Sequence, residues 1–159
     1  MRIFNILLII PIMVLGGCAG TAPKAKFVQA PKANVKVDTN DVASIHVVAG
    51  VSIDMLQVEE QRMAQLIEQK LNVKKGLNGA GGEVENYDID VTITRYDKGN
   101  AFARAMLVGL GQIHIDATVR LFTAEEREKL SEFSIKKTFA WGGLSGGMTR
   151  IDDVEPAFA

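Results

Sequence analysis

The sequence predicts an α+β fold: a two-layer sandwich in which a mainly antiparallel four-stranded sheet is covered by one long amphipathic helix, in the order β-α-β-β-β-α. Three observations predict it. Apolar and polar residues alternate with period two in three separate stretches after residue 86. One stretch, residues 55–75, instead repeats its apolar residues at helical spacing. A chain of 159 residues has room for one domain of ordinary size, at roughly 100 to 200 residues per domain.

Composition narrows the functional classes. Lys and Arg total 18 against 19 Asp and Glu, so the broad basic field that gathers nucleic acid is missing, and no nucleic-acid partner is expected. Hydrophobic residues make up 47% and charged residues 23%, which is globular rather than disordered composition. The single cysteine, Cys18, excludes an intramolecular disulfide framework and a multi-cysteine metal site.

The first element is a leader. Residues 1–17 carry one charge, Arg2, then an apolar run from Ile3 to Leu15 broken by Asn5 and Pro11, then Gly16 and Gly17. That is the layout of a secretory signal, and an apolar stretch of about 13 residues is too short for a spanning helix, which needs roughly 20. The ending Leu15-Gly16-Gly17-Cys18 resembles the bacterial lipobox, which implies acylation of Cys18, cleavage before it, and anchoring in a membrane through acyl chains. No Asp follows the cysteine, the residue that resembles an inner-membrane retention signal, so the expected destination is the outer membrane with the domain facing the periplasm. Loss of Arg2 with the leader leaves 17 basic and 19 acidic side chains, a net charge of −2.

Residues 18–40, with Pro23, Pro31 and several lysines, read as the lipidated cysteine and a flexible tether, about 25 Å end to end as a coil. The domain is expected over residues 41–159. Val42, Ile45, Val47 and Val48 mark the first strand, ended by Gly50. Ser52 or Asp54 caps the helix that follows, whose apolar stripe is Leu56, Met63, Leu66, Ile67 and Leu71; Gly76, Gly79, Gly81 and Gly82 end it. Tyr87, Ile89, Val91 and Ile93 alternate with Asp88, Asp90, Thr92 and Thr94, and the pattern returns from Ile113 to Leu121 and from Glu132 to Trp141. Lys137 falls on the apolar side of the last strand, which predicts a bulge or a snorkelling side chain. A charged turn at 123–129 joins the last two strands, and a stub helix capped near Asp152 is expected within 149–159. A crossover through the helix makes the first two strands parallel.

The stretch from Arg95-Tyr96 through Gly99-Asn100, Arg104 and Gly109-Leu110-Gly111 into a second alternating strand resembles the bacterial lipoproteins grouped as domain-of-unknown-function family 4410, over roughly residues 40–159. The charged turn at 123–129, in place of a Gly-containing hairpin, and the stubby C-terminal helix depart from that pattern. The resemblance implies an envelope location and an α+β domain, and no activity.

Candidate chemistry is sparse. His114 and Asp116 share the polar side of one strand, and with Asp90 and Thr92 they form the only arrangement that suggests an acid/base or metal site; cross-strand stabilisation of a wet sheet face is the plainer reading. No nucleophile elbow, phosphate-cradling loop or HExxH helix is present, and neither cofactor nor metal is expected. The unusual feature is the connection from Gly99 to Gly111, too apolar for a surface hairpin, together with the Gly-rich 142–148 segment. Phe102, Met106, Leu107, Leu110, Trp141, Leu144 and Met148 either fold inward and plug the end of the sandwich, or stay exposed with Arg104 at their rim as a contact for a partner protein, a second copy or lipid. The expectation is therefore a non-enzymatic lipoprotein serving as a periplasmic interaction, assembly or transport accessory. A carrier of lipid or a small apolar ligand in the crevice between helix and sheet near Trp141, and an enzyme built on His114 and Asp116, are the alternatives.

Overall fold

Alternating sequence produces strands where it is expected to, and the computed structural model of the chain adds one strand that alternation alone did not assign. It describes residues 22–31, 35, 37–78, 83–107, 109–140 and 142–159, apart from the side chains of residues 78 and 144. The leader, Cys18, the 79–82 glycine loop and Trp141 lie outside the described residues. The elements are β1 (Lys24–Gln29), β2 (Val42–Ala49), α1 (Gln57–Asn78), β3 (Asn86–Asp97), α2 (Ala101–Met106), β4 (Ile113–Thr123), β5 (Lys129–Phe139), α3 (Gly143–Met148) and α4 (Ile151–Phe158).

The fold is α+β, with a mixed sheet of five strands in the order β1-β5-β4-β3-β2 rather than four. β2 and β3 are parallel neighbours, as a strand-helix-strand crossover requires, and the other three pairings are antiparallel. The added strand, β1, lies in the segment expected to be tether. Its residues Lys-Ala-Lys-Phe-Val-Gln pair along the exposed edge of β5, with Phe27 edge-on to Phe133 at 5.7 Å between ring centroids. Lysines are tolerated there because an edge strand keeps one flank in water.

One side of the sheet carries the core. Val91, Ile93, Ile113, Ile115 and Ala117 pack beneath Met63 of α1 and beneath Ile151, Val154 and Phe158 of α4; Met63 and Ile115 are 0% exposed. Of the expected helix stripe, Met63 is central, Leu66, Ile67 and Leu71 are half-buried, and Leu56 precedes the helix and is exposed. Carboxylates rather than Ser52 or Asp54 organise the helix start. Glu59 accepts from the Leu56 N–H at 2.8 Å, and Glu60 accepts from the Ala49 N–H at 2.6 Å, which ties α1 to the end of β2.

A register shift between Ile93 and Arg95 changes the phase of β3, so the inward sequence 87, 89, 91, 93 continues at Tyr96. The Tyr96 hydroxyl thereby reaches Glu155 of α4, which is 0% exposed and also accepts two hydrogen bonds from Arg62, at 2.5 and 2.9 Å. Burial, followed by the bond to Glu155, raises the Tyr96 pKa, and that bond chiefly raises Arg62 as well. No bulge occurs at Lys137: it pairs with Ile115 in regular register and is buried, while the β4–β5 irregularity falls at Leu121 and Phe122. At α4 the stub helix is found as expected, with Asp153, not Asp152, accepting from the Arg150 N–H at 2.8 Å.

The register makes a sharp prediction. Ile115→Ala removes a fully buried side chain and should lower stability by about 2–5 kcal/mol, whereas Thr118→Ala, on the opposite side of the same strand, should change it by no more than about 0.5 kcal/mol. Chemical denaturation of both variants checks this, and equal losses would show the strand is rotated by one residue.

Candidate functional site

The apolar connection after β3 is not a loop but a small helical unit. Asn100 caps α2 by accepting from the Ala103 N–H at 2.9 Å, and Gly99 donates its own N–H to Asp97 at 2.8 Å. Gly99 and Gly111 both adopt left-handed φ, +65° and +66°, and a Cβ on either would meet backbone oxygen at 2.5 Å or less. Only glycine fits these two positions. The Gly-rich 142–148 segment supplies the second helix. A Cβ on Gly147 would lie 2.7 Å from the Cβ of Ala105, so α2 and α3 approach at a distance that small residues alone permit.

Arg104 sits between them, and its expected place at the rim is overturned. It is 2% exposed, and its guanidinium donates to four carbonyls: Gly146 at 2.9 Å, Gly111 at 2.6 Å, Lys98 at 3.3 Å and Thr149 at 2.8 Å. These lie just after β3, just before β4, and in the C-terminal half and C-cap of α3. A rigid fork of donors can satisfy carbonyls lying in different directions, which a lysine cannot. Arg104 is a tie between segments.

The side chains expected to plug the sandwich point outward. Phe102 is 74% and Met148 80% exposed, and Met106, Leu107 and Leu110 are also more than half exposed. The inward-plug expectation therefore fails for these five, because α2 turns only Arg104 and its small residues toward α3. Leu144 belongs to α3, but its side chain, like Trp141, lies outside the description. Sequence reasoning missed three further members at the same end of the sheet: Val51, 98% exposed, with Leu56 and Val58 at the approach to α1 and in its first turn. Their position follows from the Gly50 N–H donated to Ile93 and from the 3.0 Å ion pair between Lys98 and Glu59.

The polar candidates are dispersed by the register. His114 lies opposite Asp97 and Thr138, with Nδ1 3.1 Å from the Thr138 hydroxyl. Asp116 lies opposite Arg95 and Lys136. Asp90 pairs with Arg120, six positions and about 20 Å along β4 from His114, and is held by Arg127 at 2.9 Å. Burial, and then the Arg95 charge, lowers the His114 pKa below its ordinary value, so the ring is neutral at neutral pH. Among the described residues no group of three or more His, Cys, Asp or Glu side chains is close enough to hold a metal ion. A cleft of about 310 Å³ beside α4 is lined by Glu59, Arg62, Lys98, Arg104, Arg150 and Asp152. Its cations are spent on Glu59, Glu155, Asp152 and backbone carbonyls, which leaves little charge for a ligand. Between α1 and the sheet, the layer in which the alternative reading seats an apolar ligand near Trp141, the described residues Met63, Ile93, Ile113 and Ile115 form core; Trp141 itself lies outside the described residues.

The Arg104 geometry predicts a loss of stability on a substitution that keeps the charge. Arg104→Lys strands buried carbonyls and should cost about 2 kcal/mol or more. Thermal melting checks it, and an unchanged melting temperature would return Arg104 to the surface.

Comparison with known proteins bears on fold and family. A search of curated proteins finds no match to the chain. Among solved structures it is similar to a PelC dodecamer from Paraburkholderia phytofirmans, with a TM-score of 0.54 at 8% identity over 86% of this chain and 91% of that one. It is also similar to a substituted form of that protein, again a dodecamer, with a TM-score of 0.49 at 13% identity over 86% of this chain and 98% of that one. At such identity the first likeness is one of fold alone. The family model for a domain of unknown function, DUF4410, matches residues 32–143, most of the chain and all of it from β2 through β5. The chain belongs to the DUF4410 family.

Proposed function

We propose that this protein is a non-enzymatic outer-membrane lipoprotein, anchored by acyl chains on Cys18, whose domain works in the periplasm as an interaction and assembly module. The observation that carries the reading is the apolar end: five large side chains stand exposed on a frame made rigid by the buried Arg104 and by glycines that admit no other residue. Exposed apolar surface concentrated in one place and held in one conformation is the physical signature of a contact surface, since pre-organisation lowers the ordering cost of binding. Self-association is part of the proposal. The sheet ends in two edge strands, β1 and β2, and a solved structure that shares the fold is a dodecamer.

Two measurements test the reading. Cys18→Ser should abolish incorporation of labelled palmitate and release the protein from the outer-membrane fraction; a wild-type protein recovered with a free Cys18 thiol would remove the anchor. The combined variant Phe102→Ser, Met106→Ser, Leu107→Ser should melt within about 0.5 kcal/mol of wild type while its association with envelope components falls, as read by cross-linking in cells. A loss of several kcal/mol in the combined variant, with association unchanged, would show that these residues are core and end the interaction reading.

A further inference from the structure

We infer that the apolar end is a seat for the lipid surface from which the chain is tethered. The inference rests on the anchor reading of Cys18 and names the partner of the apolar surface just described. Three independent features converge on it.

The first is where the exposed apolar residues collect. Phe102, Met106, Leu107, Leu110 and Met148 share one end of the sheet with Val51, Leu56 and Val58. The second is the charge of that end. Residues 99–112 and 142–149 contain no acidic residue, and their one charged side chain, Arg104, is turned inward onto carbonyls. Half-exposed charges, Asp97 and Lys98, stand only where these segments meet the sheet; apolar tips with charge confined to their border suit entry into the headgroup boundary, where the border charges stay at headgroup level.

The third is the path of the chain. β1 is antiparallel to β5, with Lys24 opposite Lys136, so its N-terminal end points toward Phe139 and Ile113, the end of the sheet that carries α2 and α3. Only three further residues of β5, about 10 Å, separate Lys136 from that end. Cys18 stands six residues before Lys24 and reaches at most about 20 Å from it. The turn between β4 and β5 lies in the opposite direction, about 33 Å from Ile113 along β4. An anchor on so short a lead holds the apolar end, and not the far turn, against the membrane. The strands then stand on the bilayer with the polar side of the sheet free.

The test uses the full acylated protein reconstituted into vesicles of phosphatidylethanolamine and phosphatidylglycerol. Acylated Cys18 has no free thiol, so Met106→Cys, or Glu125→Cys in the exposed far turn, accepts an environment-sensitive fluorophore at one site. Nitroxide-bearing lipids in the vesicles should quench the Met106 label several-fold more strongly than the Glu125 label, independently of protein-to-lipid ratio. Equal quenching at the two sites on acylated, vesicle-bound protein overturns the seat and leaves the anchor intact. A Met106 label that is shielded from lipid and cross-links to a second copy gives the surface to self-association and overturns the seat as well. An intact mass showing unmodified Cys18, with protein that does not float with vesicles, defeats anchor and seat together.

Discussion

One buried cation organises the end of this domain where its unusual surface lies. Arg104 projects from a two-turn helix into a nest of carbonyls from Lys98, Gly111, Gly146 and Thr149, and so joins segments that are distant in the chain. Burying a guanidinium is costly, and the cost is offset only when its hydrogens are used in good geometry. That condition fixes α2, α3 and the strand ends relative to one another. The apolar tips are exposed as a consequence, because the inward side of α2 is already occupied by Arg104 and by alanines packed on Gly147.

A second buried polar cluster does the equivalent work on the helix layer. Glu155 of α4 takes hydrogen bonds from Arg62 of α1 and from Tyr96 of β3, so three elements distant in sequence share one carboxylate. Removing either donor would leave Glu155 in apolar surroundings with fewer partners, a more costly state than the pair itself. The bulge in β3 is what brings Tyr96 into this cluster; without the change of phase the tyrosine would face the solvated side of the sheet.

The regular parts of this architecture were legible in the sequence, and the irregular parts were not. Strict alternation located β3, β4 and β5, and helical spacing located α1, because one side of each element is buried and the other wet. The β1 segment reads as tether because prolines flank it and lysines interrupt it, and an edge strand with water on one flank needs no strong pattern. The sequence puts Arg104 at a rim because a charged residue in an apolar run is ordinarily solvated. The signal that pointed the other way was the pair of glycines, Gly99 and Gly111, enclosing the run: both hold left-handed backbone where their carbonyl neighbours converge on the guanidinium. Exposure of Phe102 and Met148 had no sequence signature, since apolar side chains look alike in sequence whether they fill a core or leave one.

The position of β1 has a mechanical consequence. Its hydrogen bonds to β5 lie across the strands, as in any antiparallel ladder. A pull applied at Lys24 along the strand therefore loads the whole ladder sideways at once, instead of opening it one bond at a time from an end. Resistance to tension is then shared by every rung and by the Phe27–Phe133 ring contact. A segment of six residues, too short to hold its own shape, is thereby held like a lap joint, along its whole length rather than at one end.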